Sequence, residues 1–335
     1  MSRKLNITVL VDTSAVPDKD PEFAAEEHDP TTEYHVIGTL RELGHNVCVL
    51  GAVRDIGKLV ERLSESKPDI VFNLTEEFGG DRRLDKNIAG LLEMLGVPFT
   101  GAGPSGLMLC RDKQLCKQLL SLHKIRVPDF IAAAPGGALR FSKKLRYPMV
   151  VKPAFEDSSE GISRASLVAN ENELKERVLF VHERWQQPAI AEEYIQGREL
   201  YVSLLGNRRL TVLPFRECLF DAEGDQGPQL ATYRVKWSPE YREKWNIRFG
   251  FAELSGPIVE SIARTCRRVY HLLQIRDYGR IDLRLTPDEK VVVLEANANP
   301  DLAYGEEVAE AAEKAGISYE KLIEQILRLA LRRYK

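Results

Sequence analysis

Cysteine is scarce in this sequence, and it has no long apolar runs and no excess of basic charge. The five cysteines, Cys48, Cys110, Cys116, Cys218 and Cys266, form an odd set without the spacing of metal sites, so we expect reduced thiols. No apolar stretch is long enough to span a bilayer, and we expect no signal peptide. The chain has 47 basic and 50 acidic residues and no basic stripe. These absences predict a cytoplasmic protein that contacts neither membranes nor nucleic acid.

The 335 residues suffice for two or three domains, each with its own core. Over residues 1–105, short apolar strands alternate with amphipathic helices, which predicts parallel βαβ units in a small α/β domain. Strands then follow one another more directly, so we divide the α+β remainder into a central domain, 106–190, and a C-terminal domain, 191–335. Residues 220–250 are polar and contain glycine and proline, which predicts a long mobile loop.

Two apolar strands near the C-terminus carry unexpected polar residues. They are Gly279–Leu285 and Val291–Pro300, joined by a short turn, and they predict a hairpin. Asp282 lies within the first strand, while Glu295 and Asn297 are two residues apart and leave the same face of the second. Oxygen ligands of this kind suit Mg²⁺ that is shared with nucleotide phosphates. The alternative is a polar face of the sheet turned to solvent.

A lysine at the end of another strand precedes a small polar loop. Lys152 closes the apolar run, and the loop behind it contains Ser158, Ser159 and Gly161. Backbone N–H groups and hydroxyls of such a loop bind phosphate oxygens, and the lysine adds a positive charge. A surface hairpin is the alternative. Lys113, at the start of a predicted helix, is a second candidate, although an Asp-Lys pair is also typical of a helix cap beside a solvated charge.

Acidic residues also gather at the end of a third strand. The run Ile190–Ile195 is followed by Gly197 and Glu199. Glu199 is a candidate acceptor for ribose hydroxyls, and the backbone of residues 193–195 is a candidate reader of an adenine edge. A strand with one wet face would also explain Glu193.

In this order the motifs resemble the ATP-grasp ligases, and specifically the D-alanine–D-alanine ligase branch. The resemblance extends over residues 70–335. It implies an ATP-grasp fold of mixed α/β and α+β class, in which a Rossmann-like N-terminal α/β domain precedes two α+β lobes that clamp ATP. It also implies a reaction: ATP phosphorylates a carboxylate to an acyl-phosphate, which a small-molecule amine then attacks.

The resemblance assigns roles to individual residues. Mg²⁺, or Mn²⁺ as an alternative, would be held by Asp282, Glu295 and Asn297. Catalytic roles would fall to Arg280, which faces the acyl-phosphate, to Lys236 in the mobile loop, and to Ser158. The implied ATP contacts are Lys113, Lys152, Ser158, Ser159, Gly161, Glu192, Glu193, Tyr194, Ile195, Glu199 and Lys236. The resemblance is also compatible with a homodimer formed through the N-terminal domain.

The chain departs from this branch where amino-acid substrates bind. The glycines and glutamate expected after the first strand are missing from Val11–Asp18, and the His-Gly expected after the third strand is replaced within Asn73–Glu77. Trp237 stands where the mobile loop should have a tyrosine. We therefore infer a ligase that acts on amino-acid or peptide-like substrates other than D-alanine plus D-alanine.

The positions expected to bind the second substrate's carboxylate are acidic in this chain. They read Asn299, Asp301 and Glu306, and the two acidic residues would repel a carboxylate. They are candidates for holding a cationic group of the nucleophile, and the alternative is that both point to solvent.

Three other functions are compatible with the same motifs. One is a non-catalytic ATP-binding sensor or partner subunit, and another is a true D-alanine–D-alanine ligase with a divergent site. The third is a phosphotransferase, which would need a catalytic histidine close to the motifs. The complete metal set and Arg280 argue against a protein that has lost its chemistry.

Overall fold

The computed structural model describes residues 3–12, 31–137, 146–157, 159–220 and 230–335. Its strands form three sheets, which follow one another along the chain. Within the described residues, no helix is both long and apolar enough to cross a membrane.

The first sheet is parallel and has the strand order β2-β1-β3. Its strands are β1 (Asn6–Val11), β2 (Asn46–Gly51) and β3 (Ile70–Asn73). The helices of this part are α1 (Thr32–Glu42), α2 (Ile56–Ser66), α3 (Asp85–Met94), α4 (Pro104–Arg111) and α5 (Lys113–Leu122). The parallel pairing confirms the predicted βαβ pattern. Helices α3 and α4 were not predicted from the sequence. Helix α1 begins after Thr31, whose side chain accepts a hydrogen bond from the Tyr34 amide.

The second sheet is antiparallel, with the order β4-β7-β5-β6. Its strands are β4 (Phe130–Ala133), β5 (Met149–Pro153), β6 (Leu167–Val168) and β7 (Ala189–Glu193). Helix α6 (Glu171–Trp185) packs Leu174, Val178 and Val181 against it in a small core. Lys152 lies near the C-terminal end of β5, and Glu192 lies near the C-terminal end of β7.

The third sheet runs β11-β10-β8-β12-β13, with β9 paired to β8. Its strands are β8 (Arg198–Gly206), β9 (Leu210–Val212), β10 (Arg216–Phe220), β11 (Ile247–Phe251), β12 (Tyr278–Leu285) and β13 (Val291–Asn297). The helices beside it are α9 (Gly256–Leu272), α10 (Glu307–Lys314) and α11 (Tyr319–Arg333). The predicted hairpin is confirmed as β12 and β13, and every residue of β12 is buried.

The prediction of a long loop at 220–250 is wrong for its described part. Residues 233–251 contain α7 (Tyr233–Trp237), α8 (Pro239–Lys244) and strand β11. Ser238 caps α8 by accepting a hydrogen bond from the Tyr241 amide. Tyr241 and Trp245 pack against a small core around Tyr201, so aromatic burial gives this polar segment its structure. Residues 221–229 lie outside the described residues.

The predicted division into three domains stays a prediction. Each of the three sheets falls mainly within one predicted domain, but the boundary at residue 190 cuts through β7. Two hydrophobic cores also join residues from the first and third sheets.

One buried carboxylate joins distant parts of the chain. Asp277 is fully buried and accepts hydrogen bonds from the Gly101 amide at 2.9 Å and from the Asn207 side chain at 2.9 Å. The guanidinium of Arg333, on α11, donates to both of its oxygens, at 3.1 and 2.8 Å. The last helix is thereby attached to the turn before α4 and to the third sheet.

We predict that Asp277→Ala destabilises the fold by about 3–5 kcal/mol, because it leaves a charged guanidinium and two polar groups without their partner. The measurement is urea unfolding at neutral pH. Glu324→Ala is the matched control, since it removes an exposed ion pair with Arg328 on the same helix and should cost less than about 1 kcal/mol. Equal losses in the two variants would contradict the structural role of Asp277.

Candidate active site

The pairing of β12 with β13 brings four polar side chains together. In the register of this pair, Asp282 is opposite Glu295 and Arg280 is opposite Asn297. The Asn297 amide donates to Asp282 at 3.3 Å. The sequence predicted this set from the spacing along each strand, and the register makes its members neighbours.

Arg280 is the centre of this group. Its guanidinium donates to both oxygens of Asp282, at 2.8 and 3.0 Å, and to Glu307 of α10 at 2.8 Å. Burial alone would raise the pKa of Glu307, but the charges of Arg280 and Lys236 lower it to about 2. Glu307 therefore stays ionised. It was not predicted from the sequence, because only the fold shows that α10 approaches β12.

The predicted phosphate lysines are buried rather than solvated. Lys113 is 5% exposed and lies 3.1 Å from Glu295, so the reading of Lys113 as a solvated charge is wrong. Lys152 is 6% exposed and lies 3.1 Å from Glu192. Lys117, which was not predicted from the sequence, lies 3.2 Å from the same Glu192 oxygen. Its spacing one helical turn after Lys113 was the available signal.

Lys113 and Lys152 line a small cavity of about 80 Å³ between the second and third sheets. The predicted nucleotide residues that line it are Lys113, Lys152, Ser159, Glu192, Glu193, Tyr194, Ile195, Glu199 and Lys236. The Glu199 carboxylate accepts a hydrogen bond from the Tyr201 hydroxyl at 3.0 Å and pairs with Arg284. Arg284 is buried and was not predicted.

Two residues of the predicted phosphate loop stand apart. Gly161 lines neither this cavity nor the larger one described below. A Cβ atom at Gly161 would lie 2.7 Å from Pro153, and its φ is +74°, so close packing and backbone conformation require glycine there. Ser158 lies outside the described residues.

A larger cavity of about 460 Å³ adjoins the face of β12 and β13 that carries the predicted Mg²⁺ ligands Asp282, Glu295 and Asn297, here called the metal-type face. The structure brings the predicted substrate and catalytic residues to its wall, namely Lys236, Trp237, Arg280, Asn299, Asp301 and Glu306. Trp237 is 47% exposed. Asn299 accepts a hydrogen bond from the Ala102 amide at 2.9 Å, and thereby holds the turn before α4 against the cavity.

The two acidic residues of the predicted substrate site differ in their contacts. Asp301 accepts hydrogen bonds from the Thr32 hydroxyl and from the Ala303 amide, the latter at 2.7 Å. Its carboxylate therefore organises its own loop against α1. Glu306 has no such contact with a described residue, and it lines the cavity. The reading that both carboxylates simply point to bulk solvent does not fit this placement.

A cluster of ion pairs that also lines the larger cavity was not predicted. Asp157, in the loop after β5, pairs with both Arg82 and Arg111. Arg111 also pairs with Asp85 at 2.6 Å. These contacts attach the predicted phosphate loop, which follows β5, to the helices of the first part of the chain. No local pattern reveals them, because the partners are far apart in sequence.

The site's oxygen donors suit a hard cation. Within the described residues there is no group of three or more His, Cys, Asp or Glu side chains placed to hold a metal ion. The available set is two carboxylates and one amide, Asp282, Glu295 and Asn297, which matches Mg²⁺ chemistry when phosphate oxygens complete the coordination.

Comparison with known proteins places this site in context. The profile of the family "D-ala D-ala ligase C-terminus" matches residues 128–328. The chain is 35% identical over 307 residues to the uncharacterized protein y4sG of Sinorhizobium fredii, covering 89% of this chain and 87% of that protein. It is 30% identical over 302 residues to a D-alanine–D-alanine ligase of Rhizorhabdus wittichii, covering 88% and 89% of the two chains.

Solved structures agree in fold. The D-alanine–D-alanine ligase of Bacillus anthracis matches with a TM-score of 0.76 at 23% identity, covering 98% of both chains. The same enzyme complexed with ATP matches with a TM-score of 0.74 at 22% identity, again covering 98% of both chains. The fold is therefore the ATP-grasp arrangement expected from the sequence.

We predict a pH-dependent effect of Glu295→Gln on stability. Burial alone would raise the pKa of Glu295, but Lys113, Lys152 and Lys236 lower it to about 2, from an ordinary value of 4.5. The ionised carboxylate thus stabilises the fold above about pH 4.5, and this contribution is lost as the pH falls towards about 2. The variant should lose about 3 kcal/mol at pH 7 and progressively less below about pH 4.5.

Urea unfolding at a series of pH values measures this difference. Glu289→Gln makes the same chemical change at an exposed position in the turn of the same hairpin, and should have little effect at any pH. A loss for Glu295→Gln that does not change with pH would contradict the electrostatic explanation.

Proposed function

The chain belongs to the D-alanine–D-alanine ligase family, and we propose that it joins the carboxylate of one small molecule to the amine of another. The proposed substrates are amino acids or peptide-like molecules other than D-alanine plus D-alanine. It is an ATP-dependent, ADP-forming carbon–nitrogen ligase of the ATP-grasp superfamily. The observation that carries the proposal is the contrast between two neighbouring cavities. The nucleotide-type cavity is lined by most of the predicted ATP-contacting residues, whereas the wall of the substrate-type cavity carries Asp301 and Glu306.

On this proposal, the chain's residues first position a phosphoryl transfer. Lys113 and Lys152 hold the phosphates of ATP together with Ser158 and Ser159. Residues 192–195 contact the adenine, and Glu199 contacts the ribose. Asp282, Glu295 and Asn297 would hold Mg²⁺ or Mn²⁺, which when bound neutralises charge on the phosphate oxygens.

The second stage is acyl transfer to the amine. Arg280 faces the larger cavity and stabilises the oxyanion that develops on the acyl carbon. Lys236 lines both cavities, so it is suited to contact the phosphoryl group as that group moves between them. Trp237 follows Lys236 on the short helix α7 and lines the larger cavity, where its apolar ring would help to exclude water that hydrolyses the acyl-phosphate.

The departures from the family pattern argue against D-alanine as both substrates. Glu76, Asp301 and Glu306 line the cavity, and burial together with the charges of Asp157 and other nearby groups raises the pKa of Glu76 to about 7. Such an environment repels a second carboxylate. A nucleophile with a cationic group fits it better.

The other functions have less support. A protein that only binds ATP has no need for the buried ion pairs that orient Arg280 and Glu307, which are costly to maintain. A phosphotransferase needs a histidine at the reacting centre, and no histidine among the described residues lines either cavity. Homodimer formation stays a prediction.

We predict that ADP release from Mg²⁺-ATP requires two substrates together. The measurement is ADP release with pools of D- and L-amino acids, dipeptides and polyamines, tested singly and in pairs. Glu295→Gln should lower the rate at least about 100-fold, because it removes one of the carboxylates proposed to hold the metal ion. Glu289→Gln, in the exposed turn of the same hairpin, should behave as the parent enzyme.

The outcomes of this assay distinguish the proposed ligase from the alternative functions. Release that needs a carboxylate and an amine supports the ligase, and the responding pool identifies the substrate class. Full activity with D-alanine alone would contradict the proposed substrate departure. ATP binding without ADP release in any pool would favour the ATP-binding function.

A further inference from the structure

Glu306 is an unusual carboxylate within the larger cavity. It occupies the N-cap position of α10, with φ of −81° and ψ of 163°, yet its side chain makes no capping hydrogen bond. It lines the cavity together with Arg280, Glu295 and Asn297. A group bound to Glu306 therefore shares one cavity with the proposed reacting centre.

The other acidic side chains that line this cavity have partners. Those close to basic side chains are Asp85, Asp157, Glu295, Glu307, Glu76 and Glu156, the last two each at 3.9 Å from Arg82. Asp301, Glu156 and Glu160 accept hydrogen bonds from uncharged groups. Among the described residues, the Glu306 side chain alone of this set has no hydrogen bond or ion pair. Its carboxylate is therefore available to a ligand.

The charges around Glu306 come from four elements. Glu307 follows it on α10, Asp301 lies in the loop after β13, Arg280 is on β12 and Lys236 is on α7. Burial and the two carboxylates raise the pKa of Glu306 to about 7, against the opposing charges of Arg280 and Lys236. Arg280 is paired with Asp282, and both Arg280 and Lys236 are close to Glu307. A carboxyl group in this position can exchange a proton near neutral pH.

We propose that Glu306 binds the ammonium group of the incoming nucleophile and takes its proton, so that the free amine attacks the acyl carbon. This inference rests on the proposed ligase function. It assigns a catalytic role to the position where the family resemblance implies recognition of a substrate carboxylate.

The step balances without a further reactant. The ammonium nitrogen gives one proton to the Glu306 carboxylate, and its lone pair forms the new C–N bond. The bond between the acyl carbon and the phosphate oxygen breaks, and phosphate leaves with the electron pair. The nitrogen loses its remaining surplus proton to the departing phosphate, and Glu306 later releases its own proton to solvent.

We predict that Glu306→Gln changes the reaction rate with one kind of nucleophile and not with another. Hydroxylamine is largely unprotonated at neutral pH and needs no base, so hydroxamate formation from the carboxylate pool should stay within about 3-fold of the parent enzyme. ADP release that depends on an amino acid or polyamine as nucleophile should fall about 100-fold or more, as expected for loss of a general base. Glu306→Asp should recover part of this loss.

The pH profile is a second readout. In the parent enzyme, the amine-dependent rate should rise through about pH 7 as Glu306 ionises, and this rise should be absent from Glu306→Gln. Glu313→Gln is the control, because Glu313 is exposed on the same helix. An amine-dependent rate of Glu306→Gln within 3-fold of the parent, or an equal fall with both nucleophiles, would overturn the inference. If the parent enzyme forms neither hydroxamate nor ADP, the proposed function itself fails.

Stability provides a test that does not depend on activity. Because the pKa of Glu306 is above its ordinary value of 4.5, ionising it destabilises the folded state, and this effect grows as the pH rises from about 4.5 to about 7. Glu306→Gln should therefore have a higher melting temperature than the parent at pH 8 but not at about pH 4.5. A lower melting temperature at pH 8 would indicate a partner for Glu306 and would contradict its availability to a ligand.

Discussion

The buried guanidinium of Arg280 is the interaction on which the rest of the site depends. It pairs with Asp282 on its own strand and with Glu307 on α10, so it holds the metal-type face and the last part of the chain in one arrangement. Burying a charge is costly unless its partners are well placed, and removing either partner would leave the guanidinium incompletely paired. The same contacts position Glu307, and therefore the preceding Glu306, at the wall of the larger cavity.

The two cavities differ in how their charged side chains are paired. Beside the smaller one, the buried Lys117 and Lys152 lie 3.2 and 3.1 Å from the same Glu192 oxygen, and Lys152 lines the cavity. A phosphate oxygen that enters this cavity would give Lys152 a second anionic partner. At one wall of the larger cavity, Glu306 adds a negative charge without a partner among the described residues. The unpartnered carboxylate costs the folded state stability when it is ionised, and binding of a cationic group beside it would recover that stability.

Much of the fold and half of the site could be predicted from local pattern. The parallel first sheet, the hairpin of β12 and β13 and the helices α9 and α11 follow from periodicity and from capping and turn residues. The segment 233–251 could not be predicted in this way, because its structure depends on packing of Tyr241 and Trp245 near Tyr201, which is distant in sequence. The ion pairs of Asp157 could not be predicted for the same reason, because Arg82 and Arg111 approach it only in the folded chain.

The sequence by itself determined which chemical groups the protein has and in what order: the strand-end lysine, the polar residues inside two apolar strands, and the acidic residues after Asn297. These are local properties, because the alternation of side chains along a strand follows from backbone geometry. Only the tertiary structure decided which charges are paired and which are left over. It engaged Asp301 with Thr32, buried Lys113 beside Glu295, and left Glu306 in the cavity. The physical reason is that the protonation and binding capacity of a carboxylate depend on its burial and on its neighbours, which long-range packing supplies.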